Sequence, residues 1–148
     1  MSIAERWKGH PPLPPDLSER LPRVVDRLRA GGAELVYLFG SLAGSGGREP
    51  EAAGDLDLAV WGLDEDRFAV LADVSALLGT DRIDLVMLEQ APIELRYRVV
   101  STGRLLHSES IEIENRVEMS ILRQYQDMAP FRATQARYVR ERHTAHGS

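Results

Sequence analysis

Two aspartates stand one residue apart at the start of an apolar segment, in the string GDLDLAV at positions 54–60. The alternation predicts a β-strand, in which residues i and i+2 point to the same face roughly 6.5–7 Å apart. Asp55 and Asp57 would then lie side by side, while Leu56 and Leu58 face the other way. Two carboxylates this close repel each other, and a divalent cation removes that repulsion. Oxygen-only ligands favour magnesium, which completes its shell with water and substrate phosphates.

Three further apolar segments predict strands around this one. An earlier strand over residues 33–39 ends at the turn Gly40-Ser41, a later one over 82–88 contains Asp84, and 104–107 is short. The strand with the aspartate pair is predicted over 55–61. A Gly-Ser turn offers backbone N–H groups to phosphates, and acidic residues are disfavoured on strands that have no use for them. The set therefore indicates a site for a metal ion and a nucleotide.

The order of these features resembles the nucleotidyltransferase superfamily of the DNA polymerase β type, with its Gly-Ser turn, Asp-x-Asp strand and later strand aspartate. The short chain and the opening Phe39-Gly40-Ser41 are most similar to the minimal nucleotidyltransferases, the MntA-type antitoxins paired with HepT toxins. The resemblance covers about residues 17–140 and is strongest over 33–88. It implies an α/β (α+β) fold: a small mixed β-sheet flanked by helices, with a helical C-terminal segment.

The resemblance also implies roles for individual residues. Asp55, Asp57 and Asp84 would bind two magnesium ions and carry the catalysis, and Gly40 and Ser41 would bind the phosphates of ATP. The implied reaction moves AMP from ATP to a tyrosine hydroxyl of a cognate HEPN-type ribonuclease toxin. That modification would silence the toxin, and the two proteins would form a hetero-oligomer.

The loop after the Gly-Ser turn departs from the family pattern. Thirteen residues separate Ser41 from Asp55, more than is usual in the minimal family, and Gly54 stands where relatives often have Ser. The Ala-Arg-Gly string that is common soon after Gly-Ser is missing. Arg48, in the same glycine-rich loop, is the candidate to bind phosphate in its place.

Two other functions stay open at the level of the sequence. The chain could neutralise a toxin by masking it without chemistry, although three intact aspartates weigh against this. It could also be a small-molecule transferase of the aminoglycoside type, which would normally have a larger substrate-binding domain. A Rossmann or Walker loop is excluded, because neither glycine pattern occurs.

Composition limits the remaining choices. The 148 residues suit one domain, predicted over 16–148 with helices from about 111 onward, after an extended Pro-rich N-terminal arm over 1–15. The absence of cysteine excludes disulfides and thiol catalysis, and the net charge of −5 argues against a general nucleic-acid binder. No apolar run approaches the roughly 20 residues that span a bilayer. We therefore expect a cytoplasmic protein.

The helices are predicted from apolar spacing and end signals. One helix should begin with Asp64 as its N-cap, be buried through Phe68, Leu71, Val74 and Leu78, and end at Gly79. A long C-terminal helix should be broken or kinked near Pro130. The tail also has an Arg137-x5-His143 spacing like that of HEPN ribonucleases. The predicted strands contradict an all-helical HEPN bundle, so we attribute this spacing to chance.

Overall fold

The computed structural model describes residues 6–43 and 54–146. The helices and strands of these residues, in chain order, are α1 (Leu17–Ala30), β1 (Leu35–Phe39), β2 (Leu56–Trp61), α2 (Arg67–Leu78), β3 (Ile83–Met87), α3 (Ile93–Thr102), β4 (Arg104–Ser108), α4 (Ile111–Asp127) and α5 (Ala129–His146). All four predicted strands form, and their ends differ from the predicted ones by at most two residues. Short 3-10 turns follow β1 and β3.

The four strands form one mixed sheet in the order β3-β2-β1-β4. β1 is antiparallel to both β2 and β4, while β2 and β3 run parallel. The parallel pair is connected through α2, as a parallel connection requires a crossover. This confirms the predicted α/β fold with a small mixed sheet flanked by helices.

The sheet buries both of its faces, so β1 is apolar at every position. Val36 and Leu38 belong to a cluster with residues of α1 and α2, whereas Leu35 and Tyr37 pack with residues of α3 and α4. The same alternation in β2 puts Leu56 and Leu58 on the first face. The intervening positions, including Asp57, are left for the second face.

Two details of α2 differ from the prediction. The N-cap is Asp66 instead of Asp64, and its side chain accepts a hydrogen bond from the backbone N–H of Ala69. Asp64 lies in the preceding turn, where its own N–H donates to the carbonyl of Gly31. The prediction that Phe68 is buried is wrong, because Phe68 is 72% exposed.

The helical spacing explains the error at Phe68, which precedes Val70 by two residues and therefore lies on the opposite side of α2. The residues that α2 buries completely are Val70, Val74 and Leu78, which recur every four positions along one helix face. Leu71 packs at the edge of that face. Gly79 ends the helix in the left-handed conformation with a φ of 70°, as the sequence predicts.

The C-terminal segment is helical and is interrupted close to the predicted place. α4 ends at Asp127 and α5 begins at Ala129, so Pro130 lies in the first turn of α5, where a missing N–H costs nothing. Val117 and Ile121 of α4 are buried against the sheet. Among the described residues, no helix combines the length and the apolar character needed to cross a membrane.

Residues 6–13, here called the N-terminal strap, lie against the start of β3. Trp7 and Leu13 are buried, with 7% and 2% of their surfaces exposed. The guanidinium of Arg82 donates to the carbonyls of Trp7 and His10, at 3.2 and 2.9 Å. His10 pairs with Asp81, Nδ1 to Oδ1, at 2.7 Å. These contacts fix the strap beside the acidic residues described next.

Candidate active site

Strand pairing brings the three predicted aspartates together. Asp57 of β2 and Asp84 of β3 are direct partners in the parallel register, and Asp55 immediately precedes β2. One carboxylate oxygen from each residue lies within 4.8 Å of the others. The cluster therefore combines a sequence-local pair with a third carboxylate from the neighbouring strand.

The carboxylates are crowded and partly withdrawn from water. Asp55 is 6% exposed, and burial raises the pKa of its carboxyl. The pKa of Asp57 rises to about 7, mainly through burial and then through the charges of Asp55 and Asp84. Without a cation, the group therefore favours a proton on Asp57 near neutral pH. Three close carboxylates offer only oxygen ligands, and this donor set suits a hard divalent cation such as Mg²⁺.

The Gly40-Ser41 turn touches this cluster. Gly40 has a φ of 78°, and a Cβ at this position would overlap Oδ2 of Asp57. Only glycine allows both the left-handed backbone and this close approach. Ser41 follows within the 3-10 turn Gly40–Leu42, and its backbone is therefore beside the carboxylates. The side chain of Ser41, like the whole of Arg48, lies outside the described residues.

A cavity of about 450 Å³ opens onto the carboxylates. It is bounded by the sheet, the Gly-Ser turn, the strap and α3. Its lining residues are Arg6, Phe39, Gly40, Asp55, Asp57, Asp84, Arg98 and Thr102. The cavity thus contains the acidic cluster and two guanidinium groups, a combination that suits a metal-bound polyphosphate.

The sequence analysis missed the residues that the strap contributes. Arg6 donates two hydrogen bonds to Asp84, from Nη1 to Oδ2 at 3.0 Å and from Nη2 to Oδ1 at 2.5 Å. The indole N–H of Trp7 donates to Oδ2 of Asp55 at 3.3 Å. The Arg6 guanidinium also lies 4.7 Å from the centre of the Trp7 ring. No local pattern signals these contacts, because 78 and 48 residues separate the partners.

Arg98 was also missed. It is an exposed residue of α3 that lines the cavity. Within the part of the chain that the structure describes, no hydrogen bond or ion pair of its guanidinium is found. Its position follows from the packing of α3 on the face of the sheet that carries Asp57. Long-range strand pairing determines that face, so no local sequence pattern around residue 98 indicates it.

The chain matches the family model described as "Polymerase beta, Nucleotidyltransferase" over residues 29–112, more than half of its length. No curated protein matches it. The strap precedes the matched residues, whereas Gly40 and all three aspartates fall within them.

Solved structures with the same fold include several toxin–antitoxin complexes. A tri-AMPylated Shewanella oneidensis HEPN toxin in complex with an MNT antitoxin matches at 24% identity and a TM-score of 0.65, covering 82% of this chain and 97% of that one. An MntA–HepT complex matches at 23% identity and a TM-score of 0.64, covering 82% of this chain and 97% of that one. A toxin–antitoxin structure with AMP-PNP matches at 25% identity and a TM-score of 0.67, covering 80% of this chain and 96% of that one.

Proposed function

We propose that this chain, which belongs to the polymerase beta nucleotidyltransferase family, transfers AMP from ATP to a tyrosine hydroxyl of a cognate HEPN-type toxin and thereby neutralises it. The chain is a nucleotidyltransferase. The observation that carries the proposal is the cluster of Asp55, Asp57 and Asp84, with ligand oxygens within 4.8 Å of one another.

The relatives support this donor and acceptor. One solved complex with this fold contains a tri-AMPylated HEPN toxin, and another contains AMP-PNP, an ATP analogue. The lining residues Arg6 of the strap and Arg98 of α3 are exposed to solvent, so a segment of a second protein can approach the cavity. We place the reaction in the cytoplasm, where both ATP and Mg²⁺ are abundant.

The proposed chemistry is an in-line displacement at the α-phosphorus of ATP. The tyrosine oxygen forms the new P–O bond, the bond to pyrophosphate breaks, and Asp84 accepts the hydroxyl proton. Asp55, Asp57 and Asp84 would hold two magnesium ions, which would supply charge neutralisation at the triphosphate and at the attacking and leaving oxygens. The protein's own contribution is to position the reactants and to exclude competing geometries.

The triphosphate needs cationic and N–H donors besides the metal. The backbone N–H groups of the Gly40-Ser41 turn, at the edge of the cavity, supply the N–H donors. Arg98 supplies a guanidinium from α3. The phosphate contact of Arg48 stays a prediction, since Arg48 lies outside the described residues.

Position-specific labels of ATP test the reaction type. The purified toxin is incubated with this protein, Mg²⁺ and ATP carrying a label on either the α- or the γ-phosphate. AMP transfer places the α-label on the toxin and leaves the γ-label in pyrophosphate. Transfer of the γ-label would instead identify a kinase reaction, and absence of both labels would contradict transfer to the toxin. Replacement of Mg²⁺ by EDTA should abolish labelling.

A further inference from the structure

We infer that Arg6 of the N-terminal strap is a ligand of the nucleotide phosphates and that it stays paired with Asp84 until metal and ATP bind. The inference rests on the proposed function and adds a residue to that site. It comes from one contact: the only ion pair that the described residues make to the carboxylate cluster is the one from Arg6 to Asp84.

The contact occupies oxygens that a metal ion needs. Arg6 donates to both carboxylate oxygens of Asp84, and one of these oxygens belongs to the proposed metal site. A guanidinium and a divalent cation on the same carboxylate repel each other, and the repulsion is stronger where water is scarce. Metal binding should therefore drive Arg6 away from Asp84.

The displaced side chain has a new partner in the same cavity. Arg6 lines the space that also contains Gly40 and Arg98, where the triphosphate is proposed to lie. Guanidinium groups bind phosphate oxygens through paired hydrogen bonds, as they bind carboxylates. Arg6 therefore exchanges one anionic partner for another, and the net charge around it changes little.

The strap allows the exchange without moving its backbone. The side chain of Arg6 is 49% exposed, so its rotation gives up little burial and, besides Asp84, the contact with the Trp7 ring. Trp7, by contrast, is buried, and its carbonyl accepts a hydrogen bond from Arg82. Arg82 also donates to the carbonyl of Gly54, next to Asp55. The anchor therefore ties the strap to both strands that carry the aspartates, while the Arg6 side chain is free to change partner.

Two binding measurements in the absence of toxin test the inference. The affinity for Mn²⁺ alone is measured by electron paramagnetic resonance of the free ion, and the affinity for AMP-PNP at saturating Mn²⁺ is measured by calorimetry. In Arg6→Gln, Mn²⁺ alone should bind more tightly, by about fivefold or more, because the competing charge is gone. AMP-PNP should bind about tenfold more weakly, because a charged hydrogen-bonding group is lost.

Lys8→Gln is the matched control, since it removes the same charge from an exposed position of the same strap. It should leave both affinities unchanged. Arg6→Lys should keep part of the AMP-PNP affinity, because it retains the charge and loses the paired geometry. Opposite shifts in Arg6→Gln support the inference. Shifts of both affinities in the same direction, or an unchanged value for either one, overturn it. Neither readout uses the toxin, so failure of toxin labelling contradicts the proposed acceptor and not the role of Arg6.

Discussion

Asp57 and Asp84 lie opposite each other in the register of the parallel strands β2 and β3. Their carboxylates therefore share one face of the sheet, next to that of Asp55. The pair is adjacent in space because α2 carries the chain back along the sheet, so that β3 pairs with β2 in the same direction. Charge repulsion and burial at this point govern how the site responds to pH, to metal and to substitution.

The raised pKa of Asp57 predicts how the stability of the metal-free protein depends on pH. The folded pKa of Asp57 is about 7, against 3.8 for a free aspartate carboxyl. The folded state therefore holds the proton more tightly, and this contribution to stability is fully present below the unfolded pKa and is lost as the pH rises through about 7. In EDTA, the melting temperature should fall between pH 5 and pH 8 in the wild type more than in Asp57→Asn. Equal slopes in the two proteins would contradict the assignment.

Added Mg²⁺ should reverse that loss. At pH 8 the carboxylates are charged and a bound cation stabilises only the folded state. Mg²⁺ should therefore raise the melting temperature of the wild type at pH 8 and have a smaller effect at pH 5, where protons compete. Asp57→Asn should show little response at either pH. Thermal melts at several Mg²⁺ concentrations give the result, and a wild-type protein indifferent to Mg²⁺ at pH 8 would count against the metal site.

Gly40→Ala should damage the site more than it damages the fold. The new Cβ would overlap Oδ2 of Asp57, and the left-handed backbone adds a strain of about 1–2 kcal/mol. Gly79→Ala is the matched control: its φ is also positive, but the nearest atom to its Cβ is 3.8 Å away and belongs to Arg20. Both variants should lose stability, whereas only Gly40→Ala should lose Mn²⁺ affinity. Equal Mn²⁺ affinity in the two variants would show that the turn does not shape the metal site.

Trp7→Phe should weaken metal binding while keeping most of the packing. The change removes the N–H that donates to Asp55 and retains an aromatic ring. Loss of a partner that orients a metal ligand typically costs about 10–100-fold in affinity, and the 3.3 Å length of this bond points to the lower end. Trp61→Phe makes the same chemical change at the end of β2, away from the carboxylates. A Trp7→Phe protein with wild-type Mn²⁺ affinity would mean that Asp55 is oriented by other contacts.

The local part of the site could be predicted from the sequence, and the long-range part could not. The alternation around Asp55 and Asp57 is a property of five consecutive residues, so their common face follows from strand geometry alone. Asp64 was placed wrongly because Asp66, two residues later, caps α2, and Phe68 was placed wrongly because it lies on the side of α2 opposite to Val70. Arg6 and Trp7 reach the site through contacts that no periodicity encodes. The catalytic and metal-binding roles of the aspartates stay predictions until they are measured.

The most direct test of the central claim is the intact mass of the toxin after incubation with this protein, ATP and Mg²⁺. The account predicts that the wild type adds the mass of one or more adenylates and abolishes ribonuclease activity. Asp55→Asn/Asp57→Asn should reduce adenylation by about 100-fold or more, since loss of a metal ligand costs at least as much as loss of its outer partner. Asp26→Asn/Asp127→Asn, which makes the same charge change at exposed positions, should behave as the wild type. If the toxin were silenced without a change in mass, and equally by the Asp55/Asp57 variant, masking rather than nucleotidyl transfer would be the mechanism.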